Sequence, residues 1–423
     1  MVQKILQVFK IPDLRKKVLM VLFLLLVFRV FAAIPIPGID TLRLQEFFSS
    51  SNLLGFLNIF SGGGLSNLSL VMLGVAPYIT ATIIMQLLTI IFPKLKQYYY
   101  EEGAEGRAKF NRISRYLTIP LAVLQAYGFL NLLISQQVLD PLSLTNMIGN
   151  VVIITAGSVF LMWIGELISE YKIGNGISLI IFAGIVSGLP RIISASVLNY
   201  NPSMLPTYFV FIAVSIVVIA GVVFVNEGER KIPVAYAKQV RGNKLYGGVS
   251  TYLPLRVNQA GVIPIIFAIS LLLFPQFIAQ ASSVFSRDLA LRLNELVSGF
   301  LSNIFIYSAL YFLLVVVFTY FYTAVTFDPQ EISKNLQRSG GFIPGIRPGQ
   351  TTTDYIGKIV HRITFFGALF LGVVAILPNI TQIITGIQAL AIGGTALLIV
   401  VAVALEVMKQ IDSQLSIREY EGI

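Results

Sequence analysis

Polar and apolar positions in this chain fall into long blocks rather than short alternations. Apolar runs cover residues 18–36, 71–92, 116–134, 149–168, 176–190, 207–226, 259–279, 302–325, 363–378 and 385–407, with polar, Gly- and Pro-containing stretches between them. A bilayer-crossing helix needs about 20 mostly apolar residues, whereas a membrane β-barrel shows alternating segments of about 10. The pattern predicts ten spanning helices, the fifth and ninth from short or interrupted runs. One further apolar piece, LLGFLNIF at residues 53–60, reaches only about 12 Å as a helix, less than half the hydrocarbon core. The SGGGLSNLS that follows cannot continue a lipid-facing helix. Irregular backbone at membrane depth is tolerated only inside protein or along an aqueous cavity. The segment is therefore a half-helix dipping back from the outer side ahead of a glycine hinge, or an apolar outer loop lying on the protein. The residues alone leave both readings open.

Composition agrees with the pattern. Of 423 residues 56% are hydrophobic and only 12% charged, against about a quarter charged in soluble domains. The net charge of +10 suggests nucleic acid until the charges are placed on the spans. With the N-terminus in the cytosol, 25 of the 30 Lys and Arg residues fall in inner segments. Four (Arg43, Arg191, Arg287, Arg292) fall in outer loops, and Arg29 lies inside the first span. That is the positive-inside bias, and it accounts for the basic balance without nucleic acid. The first span is long enough to cross and lacks a small-x-small cleavage site, so it reads as a span rather than a removable signal. Val2, Ile5, Leu6 and Phe9 share one helical face, as a short helix on the inner membrane surface would require; a frayed tail is an equal alternative.

Enzyme classes are excluded by what the interior lacks. The chain has no cysteine and one histidine, His361, at the edge of the ninth span. It has no HExxH, GxxxxGK[ST] or GxSxG motif, and KIGNG at 172–176 is only a glycine-rich turn. None of the 20 acidic residues falls mid-span; Glu166 and Glu406 come closest, near the cytosolic ends of their helices. Ion-coupled transporters hold ionisable groups near the midplane, and an intramembrane hydrolase needs its acid, base or metal ligands at depth. Arg29 is the one charge at depth, and a structural role facing the bundle interior or snorkelling suits it.

The stretches GVAPYITATIIMQLL, GNGISLIIFAGIVSGLP, NQAGVIPIIFA, GGFIPGIRPGQ and GGTALLIVVAVALEVMKQI resemble, in order and over essentially the whole chain, the signature segments of the SecY family. The resemblance implies an all-α integral membrane protein. Ten transmembrane helices form two inverted five-helix halves around a central hourglass pore, with a re-entrant plug half-helix at about 53–66. The parts are then a cytosolic amphipathic segment (1–17), a first half (18–190), a second half (191–407) with cytosolic loops at 226–257 and 326–360, and a cytosolic tail (408–423). The implied function is a protein-conducting channel in the bacterial inner membrane that passes unfolded preproteins and releases transmembrane segments sideways into lipid. A secondary transporter with a broken helix, or a non-conducting scaffold, is the alternative.

The same resemblance assigns residues. The plug comprises Leu54, Phe56, Leu57, Ile59 and Phe60, with Gly62, Gly63 and Gly64 as its hinge. An aliphatic collar at the pore waist comprises Val75 (often Ile in the family), Ile79, Ile177, Ile181, Ile266 and Ile399. Aliphatic groups exclude water and ions when the pore is empty, yet fit around unrelated side chains because they make no directional contacts. The lateral gate takes Thr80, Gln86, Gln125 and Asn258, a seam weak enough to part because interhelical hydrogen bonds in membranes average only about 0.6 kcal/mol. Two inner loops carry the remaining charge. Residues 226–257 read as strand-like flanks around a basic RGNK tip. Residues 326–355 open on Asp328, Pro329 and Glu331, the N-cap, N1 and N3 of a helix that the SGG after Arg338 ends. In the family these loops bind the motor ATPase SecA or the ribosome, which makes Lys231, Lys238, Arg241, Lys244 and Arg347 contact candidates for acidic protein or rRNA phosphate. Asn243 and Lys244 stand where some members carry paired arginines. SecE and SecG subunits, preprotein and signal-sequence substrates and membrane lipid complete the implied partners. No cofactor is implied, and the energy must come from a partner.

Overall fold

A computed structural model describes residues 9–36, 64–65, 68–100, 102–135, 138–198, 205–236, 239–241, 244–246, 250–282, 286–385 and 388–420. The N-terminal Val2, Ile5 and Leu6, the plug residues Leu54, Phe56, Leu57, Ile59, Phe60, Gly62 and Gly63, and Lys238 lie outside the described residues.

A helix occupies most of each of the ten apolar runs. They are α1 (Pro12–Ala33), α2 (Ala76–Ile91), α4 (Gly103–Ser135), α5 (Leu144–Glu170), α6 (Gly176–Leu198), α7 (Leu205–Glu227), α8 (Ile263–Ala281), α10 (Ile304–Thr326), α12 (Gln350–Thr385) and α13 (Gln388–Tyr420). Between them stand α3 (Pro93–Tyr100), α9 (Arg287–Ser302) and α11 (Pro329–Arg338). Among the described residues, four helices are long and apolar enough to cross a membrane unaided: 103–134, 144–170, 304–338 and 350–381. A fifth span arises if α2 and α3 count together across their 116° bend. Pro93 begins α3 immediately after the bend, where a residue without an N–H cannot extend the preceding helix.

The second helix begins five residues later than the apolar run. Residues 71–75 are a turn, with Gly74 at φ +58°, and the helix starts at Ala76 beside Pro77. Just before this turn, residues 68–70 pair with the chain that leaves α1. Ile36 N–H donates to the Leu68 carbonyl at 2.9 Å, and Leu70 N–H to the Ile34 carbonyl at 3.0 Å. Leu68, Val71, Met72 and Val75 are fully buried, so this irregular backbone is enclosed in protein, as it must be. Leu68 and Met72 join a core with Ala126, Phe129, Leu130 and Leu133 of α4 and Ile154 of α5.

The chain divides into two compact units. The first comprises 1–211, 269–307 and 378–423. In it Leu14 of α1 packs on Ile411 and Leu415 of α13, which runs as one helix through the segment expected to be a separate tail. The second comprises 212–268 and 308–377. It contains β1 (Glu229–Tyr236), β4 (Ser250–Arg256) and β5 (Gly341–Phe342) in an antiparallel sheet of order β4-β1-β5, with Glu229 opposite Arg256. A separate ribbon of β2 (Gln239–Arg241) and β3 (Lys244–Tyr246) has Arg241 opposite Lys244 at its closed end. Ile232, Leu255, Ile343, Ile356 and Val360 form the core beneath the sheet.

Candidate functional site

In the first unit α5 and α6 meet at a tight joint, just ahead of Ile181. A Cβ added at Gly176 would stand 1.8 Å from the Gly165 carbonyl oxygen, so only glycine permits this backbone contact. The Ser169 hydroxyl donates to the Gly165 carbonyl at 2.9 Å and accepts from Gly176 N–H at 2.9 Å. Asn175 Oδ1 accepts from the N–H groups of Ile177 and Ser178, an N-cap for α6. Lys172 in the same turn has φ +56°, and its carbonyl accepts from Gln414 Nε2 of α13. KIGNG is therefore a locked corner rather than a loose turn, and it fastens together the helices that carry Ile181 and Ile399.

All the proposed collar residues except Ile177 are buried: Val75 and Ile181 at 0% exposure, Ile399 at 1%, Ile266 at 4% and Ile79 at 5%. Val75 is the N-cap of α2, with Ile79 one turn further along. Ile177 is half-buried, and its Cδ1 occupies the space above Gly165 of α5. It fills the helix joint.

The gate candidates do not show the cross-helix bonds expected of them. Thr80 Oγ1 donates to the Ala76 carbonyl of its own helix at 3.0 Å, because a helical hydroxyl finds its i−4 carbonyl first. Asn258 Nδ2 donates to Asn226 Oδ1 at 2.8 Å and to the Gly261 carbonyl at 3.1 Å, tying the end of α7 to the turn that opens α8. Gln86 and Gln125 are buried on α2 and α4, where Gln86 Oε1 and both amide atoms of Gln125 have no hydrogen-bond partner. A buried unpaired amide costs about 1–3 kcal/mol. Gln125→Leu is therefore expected to raise the denaturation midpoint of the purified protein; a fall would mean that the amide is bonded.

Sequence reasoning missed two devices. Arg115 Nε of α4 meets Glu166 Oε1 of α5 at 2.6 Å, so the carboxylate nearest the interior is held by an ion pair. Gly157 of α5 carries the Leu70 backbone, whose carbonyl oxygen would lie 2.0 Å from any Cβ there. Both pairings depend on which helices touch, and no local motif announces that. Among the described residues no group of His, Asp and Glu is placed to hold a metal.

The second unit presents its cations on a rigid base. Asp328 caps α11 through a 2.7 Å bond from Gln330 N–H, with Pro329 at the first position and Gly340 at φ +71° beyond its end. In the following loop Gly345 and Gly349 take φ of +81° and +105°, a conformation glycine adopts without strain. Between them Ile346 packs on the core and Arg347 is exposed. The Ser333 hydroxyl donates to the Gly349 carbonyl and the Thr352 hydroxyl to the Arg347 carbonyl, each at 2.9 Å. Lys231 is exposed on β1, and the backbones of Arg241 and Lys244 are register partners at the end of the ribbon.

A family model described as SecY matches residues 69–408. The chain is similar to the protein translocase subunit SecY of Corynebacterium glutamicum, 42% identical over 440 residues covering 99% of each chain. It is also similar to that of Halalkalibacterium halodurans, 43% identical over 439 residues and covering 100% of this chain and 99% of the other. Among solved structures, one described as a protein conducting channel has a TM-score of 0.65 at 20% identity, with 92% of this chain and 90% of the other covered. Sec61 in a canine ribosome–channel complex has a TM-score of 0.61 at 20% identity over the same shares. With full-length identity at this level and a model match over most of its length, the chain belongs to the SecY family.

Proposed function

We propose that the chain crosses the bacterial inner membrane ten times with both termini in the cytosol, and that Val75, Ile79, Ile181, Ile266 and Ile399 form the collar of its pore. A SecY-family chain is a protein-conducting channel and not an enzyme. The observation that carries the assignment is burial. These five aliphatic side chains on α2, α6, α8 and α13 are all at or below 5% exposure, in a chain whose helices leave many Ile, Val and Leu residues facing outward. Ile177 packs between α5 and α6 instead. Residues 53–66 act as the plug and its hinge, and Thr80, Gln86, Gln125 and Asn258 line the seam through which apolar segments leave. The desolvated amides of Gln86 and Gln125 suit such a seam, because an entering segment gives them partners they otherwise lack.

SecE and SecG complete the channel, and SecA or the ribosome drives it through Lys231, Lys238, Arg241, Lys244 and Arg347. The sequence carries no GxxxxGK[ST] nucleotide loop, so in this reading the partner supplies the work of translocation. A photo-crosslinker at position 79 or 266 is expected to capture a stalled secretory chain, while one at the exposed Ile216 of α7 is not. Equal capture at all three, or none at 79 and 266, would remove the collar.

A further inference from the structure

The helix α9 lies between two apolar helices and belongs to neither. Ser286 caps it, its hydroxyl accepting from Leu289 N–H, and Asn303 alone separates it from α10. At about 100° per residue, Leu289, Leu293, Leu296, Val297 and Phe300 occupy an arc of about 100°, and Asp288, Arg292 and Glu295 lie on the other side. The apolar arc is not covered evenly. Leu293 and Val297 are half-buried, whereas Leu289, Leu296 and Phe300 along one edge are 53%, 65% and 60% exposed. Arg292 is exposed next to that edge. Three large apolar side chains this exposed on one edge of a helix mark a surface that meets something other than water.

The chain identifies the occupant. The helix that follows, α10, opens with exposed Phe305 and Ile306 and continues with exposed Leu310, Leu313 and Val317, the surface a spanning helix turns to lipid. The preceding α8 ends on exposed Ile278. The apolar edge of α9 is thus continuous along the chain with lipid-facing helix surface. Its charges keep to the opposite arc, with an arginine at the border where lipid phosphates lie. We propose that α9 is an interfacial helix lying in the plane of the membrane on the side where α8 ends and α10 begins, with Leu289, Leu296 and Phe300 set into the headgroup–acyl boundary. Held there, it fixes the depth at which the chain leaves the bilayer after α8 and returns at α10.

The inference goes beyond channel function and rests only on α8 and α10 crossing the membrane. The chain contains no cysteine, so Asp288→Cys, Glu295→Cys, Leu296→Cys and Phe300→Cys each accept a single nitroxide label. The assembled channel is reconstituted in vesicles of phosphatidylethanolamine with a minor share of phosphatidylglycerol. Collisions with dissolved oxygen and with a water-soluble nickel chelate are then compared. Labels at 296 and 300 are expected to favour oxygen and to lie about 5–10 Å below the headgroups, while those at 288 and 295 favour nickel. Nickel access at all four positions overturns the proposal, and so does shielding of 296 and 300 from both reagents, which would mean that protein covers the face. A label at the exposed Leu313 of α10 separates the two readings. Oxygen access there with nickel access at 296 overturns the interfacial helix and leaves the span standing.

Discussion

Gly176→Ala is expected to cost the protein about 2–3 kcal/mol, whereas Gly149→Ala should cost nothing. The two substitutions add the same methyl group to neighbouring helices. In an open helical position it gains up to about 1 kcal/mol, because glycine is the worse helix former. At Gly149 the new Cβ meets nothing within 4 Å. At Gly176 it would stand 1.8 Å from the Gly165 carbonyl oxygen, and backbone cannot rotate aside as a side chain can. The joint must open by about an ångström, which breaks the Ser169 bridge and lifts Ile177 off Gly165; overpacking of this kind costs about 1–3 kcal/mol. At about 2–4 °C per kcal/mol, the midpoint of thermal unfolding in detergent should fall by about 4–12 °C for Gly176→Ala and hold or rise for Gly149→Ala. Equal midpoints for the two variants would mean that α5 and α6 do not meet at these glycines.

Arg347→Glu is expected to reduce motor- or ribosome-driven transport by at least about 100-fold while leaving melting and membrane insertion unchanged. The guanidinium stands on a loop that is already ordered before any partner arrives. Glycines flank it, Ile346 anchors it, and its own carbonyl is bonded to Thr352. A preorganised arginine loses little entropy on binding, and reversing a charge at a buried contact costs about 2–5 kcal/mol. Because the side chain is exposed in the isolated chain, the fold has no stake in its charge. Transport within twofold of the parent would remove Arg347 from the docking surface, and a lowered melting point would show a structural role instead.

The ten helices were legible because each contains a long apolar run whose composition survives any packing arrangement. Element edges were less legible. The run at 71–92 looks uniform, yet its first five residues are a turn, because the N–H groups of Met72, Gly74 and Ala76 close short loops on the Ser69, Val71 and Leu73 carbonyls and Gly74 adopts a positive φ. Asp328, Pro329 and Gly340 announced α11 correctly because capping is local chemistry. The glycines at 157, 165 and 176 could not be read, since their function is to admit a backbone distant in sequence. α9 escaped notice because a search for long apolar runs passes over a helix that is apolar on one side only. At the candidate site, five of the six collar candidates are buried and Ile177 is not, a difference set by which helices touch, and the bonding of the gate candidates follows from their local backbone. Thr80 satisfies itself within its helix, and Asn258 reaches back to Asn226 rather than outward.

The short bridge between Pro35 and Ser69 has a mechanical consequence. It clamps the chain on the downstream side of the glycine run, with Ser69 N–H also donating to the Gly64 carbonyl at 2.9 Å. In the proposed channel this clamp would separate α2 from any movement of residues 53–66. The proposed collar, which begins at Val75, would then keep its bore whether the proposed stopper were seated or displaced.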